Sequence, residues 1–281
     1  MKIQLETTSG AVLAALGVFA GGALLVRTPE PKRVNVNPSA SLTPTRPAPV
    51  LMPLPHSAAG RVTFADEFDG TTLNTGKWID SYPDGERTHS NHEQQYYSTN
   101  GYMLQGGKLI FIARRQAAGG MPYTSGMVAS YGKFSQKYGR FEIRAKFPKG
   151  KGLWPAFWLL PTSKAWPPEI DILEFLGHDP TCVYFTNHWR ASSGSVPNQQ
   201  GRLRGPDFSK GFHTFTLVWK PDALIWSVDG VEQFRTREHV PQEPMYLLAN
   251  LAVGGDWPGF PDKTTPFPAQ MEVDYIRAWQ L

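Results

Sequence analysis

Apolar and polar residues alternate with a period of two along much of the chain after residue 60. Residues 140–147, Arg-Phe-Glu-Ile-Arg-Ala-Lys-Phe, alternate without a break. Residues 213–219 do the same, with Phe215, Leu217 and Trp219 on one face. Successive side chains of a β-strand point to opposite faces, so this pattern is typical of strands with one buried face.

Turn signals separate these strand-like runs. Asp229-Gly230 lies between two of them and is a strong signal for a two-residue hairpin turn. Gly106-Gly107 precedes another apolar run and indicates a further turn. No stretch of this region has the 3.6-residue period of a long helix. We therefore predict that residues 61–281 form one all-β sandwich.

The amino-terminal residues follow a different pattern. Residues 7–26 contain no charge and are almost wholly apolar from Ala11, with Lys2 before them and Arg27 after them. About 20 residues can span a bilayer as a helix, whereas the core of a signal peptide has about 7–15. We predict that residues 1–26 form an apolar helix, either a signal peptide or a retained membrane anchor. No clear cleavage site follows the run, which favours the anchor.

Residues 27–60 carry eight prolines among small and polar residues. Such a segment cannot bury a core and is predicted to be an extended, semi-rigid linker. A linker between an apolar helix and a folded domain predicts an extracytoplasmic protein that is either anchored to the membrane or secreted. We expect a monomer, which contacts the membrane only through its amino-terminal segment if that segment is uncleaved.

Charge and cysteine content argue against a nucleic-acid partner and exclude a disulfide within the chain. The net charge is +4. Five Lys or Arg and two Asp or Glu fall in residues 1–60, which leaves the remaining chain nearly neutral. A nucleic-acid partner needs a clustered basic face, so none is expected. The single cysteine, Cys182, excludes an intramolecular disulfide and lies in a strand-like run, where we expect it to be buried.

Residues 167–175, Pro-Pro-Glu-Ile-Asp-Ile-Leu-Glu-Phe, place three carboxylates in an otherwise apolar strand. Alternation puts Glu169 and Asp171 on one face, but Glu174 is one residue out of step. A β-bulge between Asp171 and Glu174 would return Glu174 to the side of the other two. Neighbouring acids repel one another and lose solvation, so we predict a chemical role for them. The alternative is a set of salt-bridged surface acids.

Paired carboxylates in an apolar setting are suited to cleaving glycosidic bonds. One carboxyl must stay protonated to donate a proton to the leaving oxygen, while the other is ionised to attack carbon or to activate water. The spacing alone does not assign these roles.

Tryptophans add support for a carbohydrate ligand, because sugar rings pack their C–H faces on indole rings. Trp154 and Trp158 are four residues apart, so strand alternation places them on one face. Trp257 lies in a loop between glycines and proline, a poor place to bury an indole. Core packing is an equal alternative for Trp158. Three other tryptophans are predicted to be core residues: Trp219, Trp226 and Trp279.

The run Glu-Ile-Asp-Ile-Leu-Glu, residues 169–174, resembles the bulged motif of glycoside hydrolase family 16. Five further segments are similar to the same family in the same order: residues 64–70, 91–97, 152–158, 250–262 and 271–277. The resemblance implies a concanavalin A-like β-jelly-roll sandwich of two antiparallel sheets with a cleft on its concave face. It also implies that Glu169 is the nucleophile, Glu174 the general acid/base and Asp171 the assisting acid, and that catalysis requires no cofactor.

By the resemblance, Asn91 and Glu93 match sugar-contacting positions and Trp154 a sugar-binding position. His188 matches a histidine near the acid/base, with a structural role as the alternative for a lone strand histidine. Asn250, a polar residue in an apolar run, is expected to face the cleft, and Trp158 and Trp257 are the other expected sugar-binding residues. Glu67 and Asp274 match positions where many members bind a structural calcium ion, which takes six to eight oxygen ligands.

We therefore expect a retaining endo-glycosidase that hydrolyses a β-linked polysaccharide by double displacement, with a β-1,3-glucan or a mixed β-1,3-1,4-glucan as substrate. Alternatives are a depolymerase of a galactan or a bacterial exopolysaccharide, and a transglycosylase that uses the same residues. A carbohydrate-binding protein without activity is the alternative outside enzymes. The presence of all three acids argues against it.

Overall fold

The computed structural model describes residues 60–281. The predicted helix of residues 1–26 and nearly all of the linker of residues 27–60 lie outside the described residues. The anchor, the signal peptide and the extracytoplasmic location therefore stay predictions. Within residues 60–281, no helix has both the length and the apolar character needed to span a membrane.

The regular elements of the described residues are strands and one short 3₁₀ turn, Pro83–Gly85. The first eight strands are β1 (Arg61–Asp66), β2 (Gln95–Tyr97), β3 (Tyr102–Leu104), β4 (Leu109–Ala113), β5 (Tyr123–Ser125), β6 (Met127–Ala129), β7 (Gly139–Lys146) and β8 (Leu153–Pro161). The others are β9 (Glu169–Phe175), β10 (Cys182–His188), β11 (Asn198–Arg204), β12 (His213–Lys220), β13 (Ala223–Val228), β14 (Val231–Thr236), β15 (Met245–Val253) and β16 (Ala269–Gln280).

Two antiparallel sheets account for most of these strands. The cleft sheet has the order β11-β10-β9-β8-β15-β6, so β9 is central. The outer sheet has the order β14-β13-β12-β7-β16-β4-β3, and β1 also pairs with β16. The short strands β2 and β5 form a separate parallel pair. The prediction of an all-β sandwich of antiparallel sheets is confirmed.

Apolar side chains from the facing surfaces of the two sheets form the core. On the outer sheet, Phe141 of β7 lies opposite Leu217 of β12, and both are fully buried. Phe215 and Trp219 are buried on the same face of β12, as the alternation predicts. Burying one such side chain contributes about 1.5–3 kcal/mol, so these central strands hold the sandwich together. Cys182 is free and buried, as expected.

Two tight turns follow the sequence signals. Asp229 and Gly230 join β13 to β14 with φ angles of 49° and 79°. Gly106 and Gly107 lie between β3 and β4 with φ angles of 61° and 67°. Positive φ at two successive residues is the backbone of a type I′ hairpin turn, which Gly tolerates without steric cost.

The prediction that Trp279 is a core residue is wrong. Its neighbours Ile276 and Ala278 are fully buried, whereas Trp279 is half-buried and lies under the guanidinium of Arg140, 4.9 Å from the ring centre. The register of β16 against β7 shifts between Val273 and Tyr275. This bulge exchanges the two faces of the strand, so odd-numbered residues point inward before it and outward after it. Trp219 and Trp226 are fully buried, as predicted.

Candidate active site

The three acids lie on the central strand β9, which has one extra residue in its pairing with each neighbouring strand. Against β10, Glu174 pairs with Tyr184 and Asp171 with Thr186, so three steps on β9 match two on β10. Against β8, the register also shifts between Leu173 and Asp171. The β-bulge inferred from the spacing of the acids is confirmed.

The bulge divides β9 into a core face and a cleft face. Its four apolar residues are fully buried against the outer sheet: Ile170, Ile172, Leu173 and Phe175. Because Ile172 and Leu173 both turn inward, Glu169, Asp171 and Glu174 share the opposite, concave face. All three acids line a cleft of about 910 Å³.

Glu174 is held from both sides. The indole N–H of Trp154 donates to Glu174 Oε1 at 3.1 Å. The hydroxyl of Thr186 donates to Glu174 Oε2 at 3.4 Å, and Gln200 Nε2 donates to that hydroxyl oxygen at 3.3 Å. Adjacent strands of the cleft sheet therefore fix the orientation of the Glu174 carboxyl.

Glu169 and Asp171 share a histidine. His188 lies opposite Glu169 on β10, and its Nε2 atom is 3.8 Å from Glu169 Oε1 and 3.2 Å from Asp171 Oδ2. The indole N–H of Trp166 donates to Glu169 Oε2 at 2.7 Å. Among residues 60–281, no arginine or lysine forms an ion pair with any of the three acids.

Burial and mutual repulsion hold protons in this cluster. Burial, and then the charge of Asp171, raise the pKa of Glu169 to about 8. Burial, followed by the charges of Asp171 and Glu169, raises the pKa of Glu174 well above its usual range. Burial lowers the pKa of His188, but hydrogen bonding to Asp171 and the two negative charges raise it overall. The cluster can therefore carry both a protonated acid and an ionised one near neutral pH.

Aromatic side chains line the Glu174 end of the cleft. Trp257 keeps 37% of its surface exposed, and its ring centre lies 4.8 Å from that of Tyr184 and 5.7 Å from that of Trp154. Trp154 and Trp158 both line the cleft, as their spacing predicts, but Trp158 is buried. Trp257 therefore offers a larger exposed surface to a sugar ring than Trp158 does.

The remaining residues expected near sugar form the other wall and part of the floor. Asn250 accepts the indole N–H of Trp158 at 2.8 Å and donates to the hydroxyl of Tyr97 at 2.9 Å. Glu93 is buried, accepts a hydrogen bond from Gln95 and lies 3.5 Å from His89. Burial raises the pKa of Glu93, and the charge of His89 opposes this.

Asn91 is exposed on the rim of the cleft. Its carbonyl oxygen accepts the backbone N–H of Asp256 at 3.0 Å, which ties this rim to the loop that carries Trp257. Asn91, Glu93, His188, Asn250 and the three tryptophans thus all line the cleft that holds the acids.

Glu67 and Asp274 are separately paired with arginines. Both oxygens of Glu67 accept hydrogen bonds from Arg277 at 2.8 and 2.7 Å, and Asp274 pairs with Arg144 at 2.5 Å. The one group of three acid or histidine donors within the described residues is Glu169, Asp171 and His188. The side chains of Glu67 and Asp274 alone do not form a calcium donor set, and the calcium ion stays an untested prediction.

Several cleft residues were missed by the sequence interpretation. Thr186 could have been found, because it lies two residues before His188 and so on the same strand face. Trp166 contacts Glu169 from an irregular segment that precedes the strand. Asn198 and Gln200 line the cleft from β11, whose residues, Asn-Gln-Gln-Gly-Arg-Leu-Arg, show almost no apolar pattern.

A β-sandwich with an open cleft, clustered carboxyls of raised pKa and exposed indole rings has the features of a carbohydrate-cleaving enzyme. The model of glycosyl hydrolases family 16 matches residues 83–277, and the chain belongs to this family.

Relatives and solved structures agree with this family. The chain is 36% identical over 244 residues to the beta-glucanase of Rhodothermus marinus, a match that covers 78% of this chain and 85% of that protein. It is also 36% identical to the endo-1,3-1,4-beta-glycanase ExsH of Rhizobium meliloti, but there the match spans only 51% of the relative's length. The catalytic domain of a laminarinase from Thermotoga petrophila superposes with a TM-score of 0.71 at 36% identity, covering 79% of this chain and 98% of that one.

Proposed function

We propose that this chain is a retaining endo-glycosidase that hydrolyses a β-1,3-glucan or a mixed β-1,3-1,4-glucan by double displacement. The observation that carries the proposal is the bulge of β9, which brings Glu169, Asp171 and Glu174 onto one face of an open cleft. The names of the relatives, beta-glucanase, endo-1,3-1,4-beta-glycanase and laminarinase, support the substrate class.

In the first step, an ionised Glu169 attacks the anomeric carbon of the bound sugar. Glu174 donates its proton to the glycosidic oxygen as the bond to the leaving sugar breaks, which leaves a glycosyl ester on Glu169. The raised pKa of Glu174 supports its role as the acid, because that group must be protonated before the step. The Trp154 and Thr186 contacts hold its carboxyl in place.

In the second step, Glu174 takes a proton from water, and the oxygen of that water attacks the anomeric carbon. Glu169 leaves as a carboxylate, so the product keeps the original anomeric configuration and Glu174 is again protonated. The N–H of Trp166 and the positive charge of His188 favour the ionised form of Glu169. Asp171 favours the charged form of His188 and holds protons on both glutamates by repulsion.

Purified full-length protein should release reducing ends from laminarin and from mixed-linkage β-glucan faster than from agarose or carrageenan. Proton NMR of the first products should show the β-anomer, because two displacements retain configuration. Main activity on agarose or carrageenan would overturn the glucan assignment. Initial release of the α-anomer would overturn the roles given to the two glutamates.

Product sizes separate the remaining alternatives. An endo-acting hydrolase should produce a broad range of shorter oligosaccharides from laminarin. Products longer than the starting oligosaccharide would instead identify a transglycosylase. Binding of laminarin without release of reducing ends would identify a carbohydrate-binding protein.

A further inference from the structure

The Glu169 end of the cluster brings three possible metal ligands together. His188 Nε2 lies 3.2 Å from Asp171 Oδ2 and 3.8 Å from Glu169 Oε1. One donor atom from each of the three residues lies within 4.8 Å of the other two. Adjacent strands supply all three, with Glu169 paired to His188 across β9 and β10, so the arrangement is fixed by the sheet.

Asp171 supplies an independent sign that this position suits a cation. The residue is only 3% exposed, and no described donor other than His188 Nε2, at 3.2 Å, lies near its Oδ2 atom. A buried carboxylate oxygen that is paired only with an imidazole keeps lone pairs that a bound cation can satisfy. Glu169 uses Oε2 to accept the Trp166 N–H, which leaves Oε1 turned towards His188. Each carboxylate therefore offers an oxygen to the same space.

The chemistry and spacing of the donors favour one class of ion. Zinc bonds of ~2.0–2.2 Å in a tetrahedron place neighbouring donor atoms roughly 3.3–3.6 Å apart. The separations of His188 Nε2 from the two carboxylate oxygens, 3.2 and 3.8 Å, lie on either side of that range. Calcium prefers six to eight oxygen ligands, whereas one imidazole and two carboxylates suit a zinc-type transition metal.

We propose that Glu169, Asp171 and His188 form a binding site for a divalent transition-metal ion of the zinc type, with one position left for water. The ion would occupy the face of Glu169 that must reach the sugar, so metal and polysaccharide exclude each other. Metal binding itself does not depend on the proposed function; only the resulting inhibition does.

Calorimetric titration of Zn²⁺ into metal-free, full-length protein tests the site. We expect one binding event that becomes on the order of 100-fold weaker in Asp171→Asn and in His188→Gln, since each loses a ligand. Cobalt(II) in place of zinc should give the intense visible absorption of tetrahedral coordination, and this signal should disappear in the same variants. Thermal unfolding checks that both variants are folded.

Two further variants separate metal binding from catalysis. His92→Asn removes a histidine that pairs with one carboxylate, Asp256, at 2.9 Å but has no third donor, and it should bind zinc like the wild type. Asn also tolerates the φ of 54° at this position. Glu174→Gln should bind zinc normally although it loses turnover, because Glu174 is not a ligand.

Zinc should inhibit laminarin cleavage competitively, and a chelator should reverse the inhibition. Equal binding in wild type, Asp171→Asn and His188→Gln would overturn the site, as would loss of binding in His92→Asn. Binding at the three residues without inhibition would overturn the exclusion of polysaccharide. Full turnover in Glu174→Gln would instead contradict the proposed function and leave the metal site standing.

Discussion

Acidic side chains lie on central strands at two places in this sandwich, and their surroundings are opposite. On the outward face of the outer sheet, Glu272 binds Lys108 and Lys146. On the concave face of the cleft sheet, Glu169 and Glu174 have no lysine or arginine partner among the described residues. The sheet supplies similar strand positions in both places, so the neighbouring cations make the difference.

The pKa values follow these surroundings. Burial alone would raise the pKa of Glu272, but hydrogen bonds from the two lysines lower it overall. Hydrogen bonds from Arg277 likewise lower the pKa of Glu67 on the same side of the molecule. In the cleft, burial and repulsion raise the pKa of Glu169 and Glu174. Outer-face acids therefore stabilise the fold as anions, whereas cleft acids are kept reactive at a cost in stability.

The largest expected effect is on turnover. Glu169→Gln and Glu174→Gln should each lower kcat on laminarin by roughly 10⁴-fold, because one loses the nucleophile and the other the proton donor. Glu272→Gln is the matched control on the outer face and should change kcat by less than about twofold. The kcat values are measured from the initial release of reducing ends. A near-normal kcat in either cleft variant would contradict the claim that the cleft acids, unlike the outer-face acids, are catalytic.

The next effect is on stability and concerns the outer face. Glu142 is 4% exposed and binds Arg140, while the hydroxyls of Thr216 and Tyr275 each donate to it at 3.0 Å. Glu142→Ala leaves these three groups without their partner. We expect the free energy of unfolding to fall by about 2–3 kcal/mol in urea titrations, with kcat unchanged.

Glu238→Ala is the control for this measurement. Glu238 is exposed, and its carbonyl oxygen rather than its carboxylate accepts a hydrogen bond, from Asn187. Its replacement should change the free energy of unfolding by less than about 0.5 kcal/mol. Equal losses in both variants would show that the outer-face network is no more stabilising than an ordinary surface charge.

Strand periodicity predicted much of this picture, and its failures have physical causes. Glu174 is an odd number of residues from Glu169 and Asp171, so a regular strand would place its charge on the apolar face, and this indicated a bulge. The bulge of β16 carries a similar signal, since the inward residues Val273 and Ile276 are three positions apart. It was missed because the two residues between them, Asp274 and Tyr275, are both polar and are compatible with the exposed face of the strand.

Other parts of the site depend on contacts between distant segments. Trp166 donates to Glu169 from an irregular segment, and no periodicity predicts where such a side chain points. Gln200 reaches the cleft from an edge strand with little apolar pattern. The arginine partners of Glu67 and Asp274 could not be inferred either. Glu67 pairs with Arg277, and Asp274 pairs with Arg144, so the two residues of each pair are more than 100 positions apart in the chain and meet only in the folded sheet.

The smallest effect, and the sharpest test of the comparison, is the pH dependence of stability. Glu169 has a pKa of about 8 in the folded protein and about 4.5 when unfolded. Between these values the folded state binds more protons, so the free energy of unfolding falls as pH rises and the loss is complete above pH ~8. Gln resembles the protonated acid, so Glu169→Gln should match the wild type at low pH.

At pH 9, Glu169→Gln should exceed the wild type by roughly 1–2 kcal/mol, well under the full value of the shift because the side chain keeps 17% of its exposure to the cleft. Glu272→Gln should behave oppositely. Because the folded state lowers the pKa of Glu272, the ionised side chain stabilises the fold at pH values above its unfolded pKa, and Glu272→Gln should be less stable than the wild type there. That difference should disappear as pH falls through the folded pKa. Urea titrations of both variants at pH 3, 5, 7 and 9 measure this contrast. Differences of the same sign at pH 9 would show that the cleft acids are not held at a cost to the fold.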